Sequence, residues 1–327
     1  MIFKCRNCGG NVVYDPELGK MHCPYCDGQD TQEQEAGKGS YVCANCGAPL
    51  ETGEFGSAVR CGYCGSYTIV EERIEGAYLP RFILPFRIGK KRASACLDEQ
   101  FKRRIFAPDS FLSEATLSRM EGSYVPFWLY DMAADCHYEG TGTRVRVWRS
   151  GDTEYTETSW FHVLRDMNVQ FDRIPADASG QFPDEVMDLM EPYEYEGLSD
   201  FAPEYMSGFL GEVYNGPSAE YEKRAQEKAR ADAKSLLMQT VSGYSTIIPE
   251  RESIDLKPQD AQYALLPVWR YQYRYRDRDY DCFVNGQTGK LAGELPLSVP
   301  CVFAYGGTFF ICLTAVLMLV WAIFSIL

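Results

Sequence analysis

The sequence predicts an α+β protein in three parts: two small β-hairpin knuckle modules at the amino end, a larger strand-and-helix body, and one apolar helix at the carboxyl end. Three observations carry that division. Eight of the 13 cysteines fall within the first 64 residues as four Cys-x2-Cys pairs. Beyond residue 75, short runs rich in aromatic, β-branched and proline residues alternate with two long helical patterns. From Val299 to Leu327 no charged residue occurs. The composition, 46% hydrophobic and 24% charged over 327 residues, excludes wholesale disorder, collagen and coiled-coil fibre. At roughly 150 residues per domain it allows two or three units, one of them large enough for a proper core.

The amino-terminal modules are an internal repeat. Cys5-Arg6-Asn7-Cys8-Gly9 matches Cys43-Ala44-Asn45-Cys46-Gly47, and Cys23-Pro24-Tyr25-Cys26 matches Cys61-Gly62-Tyr63-Cys64, all at an offset of 38 residues. Each unit reads C-x2-C-x14-C-x2-C, over residues 1–30 and 41–70, and the polar stretch 31–40 between them reads as a flexible linker. A Cys-x2-Cys turn offers two thiolates, and the 14-residue gap leaves room for a hairpin that brings a second pair opposite the first. The turns are expected at Tyr14 to Lys20 and at Glu51 to Gly56. Four thiolates closing a tetrahedron are a structural zinc site with no open position, so Cys5, Cys8, Cys23 and Cys26 should hold one ion and Cys43, Cys46, Cys61 and Cys64 a second. A redox pair or an iron–sulfur centre is the alternative. Each module is expected to fold around its own ion. Gly9, Gly47 and Gly65 follow the second cysteine of a knuckle; the remaining knuckle has Asp27-Gly28, one residue out of step. His22 reads as a surface residue. Met1-Ile2-Phe3-Lys4-Cys5 enters the first knuckle with no signal-peptide pattern, which predicts a reducing compartment, the cytosol.

The body, 76–298, opens with a helix over Lys90 to Phe106, where Ala93, Leu97, Phe101 and Ile105 recur at steps of four. Strands are expected at Tyr124 to Tyr130 and Thr143 to Trp148. An acidic, aromatic segment follows, Phe171 to Tyr214, broken by four prolines. Pro217 opens a second helix to about Val241, with Glu220 and Arg224 spaced as an i,i+4 pair. Leu265 to Tyr271 is a strand again, and Asn285-Gly286-Gln287-Thr288-Gly289 a hairpin turn with two candidates for positive φ. Leu266-Pro267-Val268-Trp269 echoes Val125-Pro126-Phe127-Trp128, which suggests a duplicated α+β unit. Finally, the 23 residues Tyr305 to Leu327 span about 34 Å as a helix, against a hydrocarbon core of about 30 Å, so 300–327 is expected to cross a membrane.

Charge and motif narrow the function. The net charge is −14, and residues 1–75 carry six basic against eleven acidic side chains, the wrong sign for gripping phosphates; nucleic acid is not an expected partner. The phosphate loop, H-E-x-x-H and G-x-S-x-G are all missing, and His137 and His162 have no evident catalytic partner. The carboxylates of 171–214 leave a hydrolase as an alternative. Arg87, Lys90, Lys91, Arg92, Lys102, Arg103 and Arg104 form one basic cluster; solvation of a helix face is the preferred reading over contact with anionic lipid.

The paired knuckles, Tyr78-Leu79-Pro80, Ile83-Leu84-Pro85-Phe86, Tyr124-Val125-Pro126-Phe127-Trp128-Leu129-Tyr130-Asp131, Tyr205-Met206-Ser207-Gly208-Phe209, Leu265-Leu266-Pro267-Val268-Trp269 and Asn285-Gly286-Gln287-Thr288-Gly289-Lys290 together resemble the bacterial TFIIB-type zinc-ribbon membrane proteins, the YdjG-like group of Gram-positive bacteria. Such proteins are often labelled as relatives of the replication-restart helicase, but the phosphate loop that label requires is not here. The resemblance implies a non-enzymatic scaffold at the cell membrane, anchored at its carboxyl end with its soluble parts cytoplasmic. It implies protein partners such as phage-shock-protein-A-like or other peripheral membrane proteins, in envelope stress. Its carry-over is confined to the eight ribbon cysteines. A second apolar segment is expected in that group, whereas here Leu327 closes the first. A ribbon-based transcription or replication accessory factor is the alternative function.

Overall fold

The computed structural model describes residues 1–35, 41–101, 107–108, 111, 113–294 and 296–326. The expected linker residues 36–40, and the helix end 102–106 with Ile105, Lys102, Arg103 and Arg104, lie outside the described residues. The first module contains β1 (Ile2–Cys5), β2 (Val13–Asp15), β3 (Lys20–His22) and β4 (Thr31–Gln34). β2 and β3 form the hairpin over the expected turn. Part of the expected linker is not loose: β4 pairs antiparallel with β1, from Ile2↔Gln34 to Cys5↔Thr31, because β1 would otherwise present an unpaired edge. The second module supplies β5 (Gly56–Arg60) and β6 (Tyr67–Ile69), paired antiparallel.

The body continues with β7 (Phe82–Ile83), α1 (Lys90–Phe101), α2 (Glu114–Leu117), β8 (Glu121–Ser150), β9 (Thr153–Asp177), α3 (Asp184–Met190), β10 (Ser199–Asp200), β11 (Leu210–Glu212), α4 (Ser218–Thr240), β12 (Thr246–Tyr275), β13 (Arg278–Asn285), β14 (Leu291–Gly293) and α5 (Val299–Ile326). One large sheet runs β10-β7-β12-β8-β11-β5-β6, with β9 also on β8, and β13 then β14 beyond β12. The strands expected at 124–130 and 143–148 are two stretches of one 30-residue strand. Between them Met132, Ala134, Cys136 and Tyr138 are buried while Asp131, Asp135 and Glu139 face outward, which is strand periodicity with small and charged residues in place of aromatics. The Pro126 and Pro267 stretches sit on these neighbouring strands and pair with each other, Leu265↔Pro126 and Pro267↔Tyr124. Their echo belongs to one sheet; a duplicated unit is not shown.

α4 starts after Pro217 as expected and buries Ala225, Ala229, Ala233 and Leu237, a step-of-four stripe lying on β8, β9 and β12. Small side chains let the helix axis approach the sheet closely. Glu220 and Arg224 do not pair: Arg224 turns to Asp177, Asp184 and Asp188. Around the signature residues, Phe86 stacks on Phe209 with centroids 4.2 Å apart, and the Trp269 indole donates to the Ile88 carbonyl at 2.8 Å. Burying each such ring contributes roughly 1.5–3 kcal/mol.

The modules share this core. Phe3, Val12, Cys23, Ala58 and Ile69 are buried in the same cluster as Tyr124, Phe209 and Trp269. They therefore do not stand apart from the body as independent hairpins. At the other end, α5 is long and apolar enough to cross a membrane over Val299–Met318, and none of that stretch is buried.

Candidate metal centres

Each Cys-x2-Cys pair is a tight knuckle held by two backbone bonds. The first cysteine donates its amide to the residue five on, as in Cys5 to Gly10 at 2.8 Å and Cys61 to Ser66 at 2.8 Å, and accepts from the residue four on, as in Gly9 to Cys5 at 2.9 Å. That return requires positive φ at the fourth residue, and Gly9, Gly47 and Gly65 adopt +72°, +72° and +71°. Asp27 fills the same place at +58°, so the last knuckle of the first module keeps the geometry without the glycine, and Gly28 takes the acceptor role for Cys23 at 2.9 Å.

The knuckles meet in two sets of four sulfurs, each within 4.8 Å of the others: Cys5, Cys8, Cys23, Cys26 and Cys43, Cys46, Cys61, Cys64. Across the knuckles the Sγ atoms of Cys5 and Cys26, of Cys8 and Cys23, and of Cys43 and Cys64 lie 3.6 Å apart, and those of Cys46 and Cys61 3.8 Å. Zinc–sulfur bonds of about 2.3 Å in a tetrahedron demand sulfur–sulfur edges of about 3.8 Å. The donor sets thus fit two zinc ions with closed coordination. The first cysteine of every pair is buried and the second exposed, so each set faces water on one side.

The outer surroundings differ. In the second set, the Ser66 hydroxyl lies 2.9 Å from Cys64 Sγ and 3.3 Å from Cys43 Sγ, Thr68 donates to Cys43 at 3.7 Å, and Asn45 donates to Cys64 at 3.5 Å. The Ser66 contact above all holds the Cys64 thiol down at about 5. In the first set the matching positions are Gly28 and Asp30, and the Gly28 amide draws on Cys26. The neighbouring sulfurs of Cys8 and Cys5 nonetheless push the Cys26 thiol up to about 12, the repulsion that a bound cation would relieve. None of these outer groups was singled out from the sequence, although the 38-residue offset aligns Ser66 with Gly28 and exposes the difference.

The protein YdjG of Bacillus subtilis (strain 168), itself uncharacterised, is 35% identical to the chain over 324 residues, covering 94% of this chain and 95% of that protein. The chain belongs to the YdjG family. No protein-family model matches it, and no solved structure does.

In this YdjG-family fold the remaining sequence candidates find local partners. His22 is half-buried and meets Asp27 at 3.0 Å, outside both sulfur sets. His137 pairs with Asp166 at 2.7 Å and His162 with Glu139 at 3.1 Å, on the polar face of the long strands. Four carboxylates of the acidic segment turn to α4. Arg224 reaches Asp177 and Asp188 at 2.6 Å each and Asp184 at 3.0 Å, while Lys228 reaches Asp188 and Glu191 at 2.6 Å each. Burial pushes the Asp177 carboxyl up to about 6 against the pull of Arg224. Of the basic cluster, Arg87 pairs with Glu194, Arg92 with Glu99, and Lys90 donates to the Ser118 carbonyl at 2.6 Å. Glu212, on β11, is buried and accepts from Ser179 at 2.6 Å; burial raises its carboxyl to about 7. It lies within the acidic segment 171–214, and nothing in the sequence set it apart from the other carboxylates there.

Proposed function

We propose that this chain is a membrane-anchored zinc-ribbon adaptor. α5 holds it in the cell membrane, the modules and the sheet stand in the cytoplasm, and partner proteins, peripheral membrane proteins of an envelope-stress response among them, dock on that face. The observation that carries the reading is the contrast between α5, apolar and uncovered along Val299–Met318, and a folded body whose two sulfur sets fit closed, structural ions. The acidic balance of residues 1–75 supports protein rather than nucleic-acid partners.

The test is deletion of 300–327. The full chain should float with membranes through a high-salt wash, and the deleted chain should be soluble and retain both metals. Proteins cross-linked to the full chain in intact cells should leave the membrane fraction when the deleted chain replaces it. A deleted chain that still floats, or ribbons that external protease digests on intact spheroplasts, would overturn the anchoring and the orientation.

A further inference from the structure

We propose that the first sulfur set is an oxidant-reactive site: a peroxide converts its thiolates to disulfides and frees its ion while the second set stays loaded. This requires the zinc fit and not the membrane anchor. Access does not separate the two sets, since in both the first cysteine of each pair is buried and the second exposed. Ionisation does not separate them either, because a metal-bound cysteine is a thiolate in both. Backbone donors also match: the amides of Asn7 and Cys8 reach Cys5, and those of Asn45 and Cys46 reach Cys43. Side-chain donors are what differ. Among thiolates the Ser66 hydroxyl must donate, to Cys64 at 2.9 Å, while Thr68 donates to Cys43 at 3.7 Å and Asn45 to Cys64 at 3.5 Å. The Lys4 ammonium, 2.5 Å from Asn45 Oδ1, holds that amide with its NH2 toward the sulfur.

At the 38-residue offset the first set has Gly28, Asp30 and Asn7 in those three places. Gly28 has no side chain, and the Asp30 carboxylate only accepts. Asn7 makes no side-chain hydrogen bond among the described residues. Hydrogen bonds to a thiolate draw off its charge and lower its nucleophilicity, so the first set keeps the more nucleophilic sulfurs. The exposed thiolate of Cys8 or Cys26 attacks the peroxide O–O bond, takes one oxygen as a sulfenic acid and releases hydroxide. The partner thiolate 3.6 Å away, Cys23 for Cys8 and Cys5 for Cys26, then displaces a second hydroxide and closes the S–S bond. Two electrons pass from the sulfur pair to the peroxide, and two protons from solvent turn the hydroxides into water. With two of its four donors gone, the set lets its ion go. The first module keeps its own small sheets, so this change loosens one end of the molecule and spares the main sheet. An adaptor built this way has an oxidant-dependent input.

The full chain, zinc-loaded in detergent, is mixed with excess hydrogen peroxide. A chromogenic chelator follows the freed ion, and differential alkylation with peptide mapping follows each cysteine. One ion should leave about tenfold sooner than the other, the scale set by hydrogen bonds to a charged acceptor, and Cys5, Cys8, Cys23 and Cys26 should oxidise with it. Ser66→Ala should bring the second set toward the rate of the first. Gly28→Ser should slow the first: the position lies outside the positive-φ region, and a Cβ there would stand 3.1 Å from Cys5 Sγ and 3.3 Å from Cys26 Sγ, within reach of a hydroxyl. The parent chain decides the order of release, and either variant reads its cause. Release of both ions at one rate, earlier oxidation of the second set, a first set that holds no zinc, or rates unmoved by both substitutions would each overturn the proposal. None of these results bears on the anchoring by α5, which the deletion of 300–327 tests separately.

Discussion

The two cysteine modules share a sequence frame and differ in how they are built into the molecule. The second contributes its strands to the main sheet: β5 pairs with β11, Gly211↔Ala58 and Glu212↔Gly56, and β11 runs parallel to β8. The first keeps its own small sheets and is held from outside. The Tyr14 amide donates to the Ser207 carbonyl at 2.9 Å, the Ser207 hydroxyl donates to the Val12 carbonyl at 2.7 Å, and Tyr14 meets Tyr205 edge-on at 5.1 Å. Gly208, at φ +95°, permits this approach, because a Cβ there would come within 2.9 Å of Val13. Identical metal chemistry thus serves one module that is part of the body and one that is attached to it. The side-chain donors to sulfur lie on the integrated module.

The comparison breaks most visibly at the metals. Cys43→Ser should remove one ion and lower the unfolding temperature of the whole chain, since β5 lies within the shared sheet. Cys5→Ser should remove the other ion and leave most of the body intact. Metal analysis with calorimetry of both variants checks this; equal losses of body stability would erase the distinction.

A second effect tests the joint between β11 and the second module. Glu212 holds its proton up to about 7 in the fold but only to the ordinary glutamate value when unfolded. The folded state thus binds more protons between those values. Its stabilising contribution is complete below the unfolded pKa and is lost as pH rises through about 7, a change on the order of 3 kcal/mol. Glu212→Gln should flatten that slope in denaturant titrations between pH 5 and 8, and an unchanged slope would assign the dependence elsewhere.

Smaller still, Ser66→Ala should speed zinc release from the second set to a chelator without touching the first, through loss of a hydrogen bond of about 1–2 kcal/mol to a thiolate. Metal-selective chelation kinetics read the two sites separately. The smallest effect belongs to Asp27→Gly. It relieves a positive-φ residue and breaks the exposed contact with His22, so stability should change by less than about 1 kcal/mol. A larger drop would mean that the His22 contact holds the knuckle.

The legible features were those whose chemistry is local. The eight ligands follow from spacing, the turns from glycine and Asn285, and α4 from its alanine stripe. Of the two glycines expected at positive φ in the 285–289 turn, Gly289 adopts +77°, whereas Gly286 is required because a Cβ would meet Phe86 and Pro267 at 2.6 and 2.7 Å. The full length of β8 was not legible, since its middle swaps aromatics for Ala134, Cys136 and Gly140. Arg224 was assigned to its neighbour on the helix because sequence spacing cannot see Asp177 on the strand below.

The sequence by itself determined the donor sets for two ions, the apolar end helix and the alternation of the long strands, because a thiolate pair on a tight turn, an uncharged run and a two-residue period act over a few residues. Only the tertiary structure decided that β5 pairs with β11, that Asp177, Asp184, Asp188 and Glu191 turn to α4, and that β12 stops at Thr246 and leaves the edge beyond Thr143 open. Those outcomes depend on which distant backbone reaches which edge first, and pairing between residues tens of positions apart leaves no trace in local spacing.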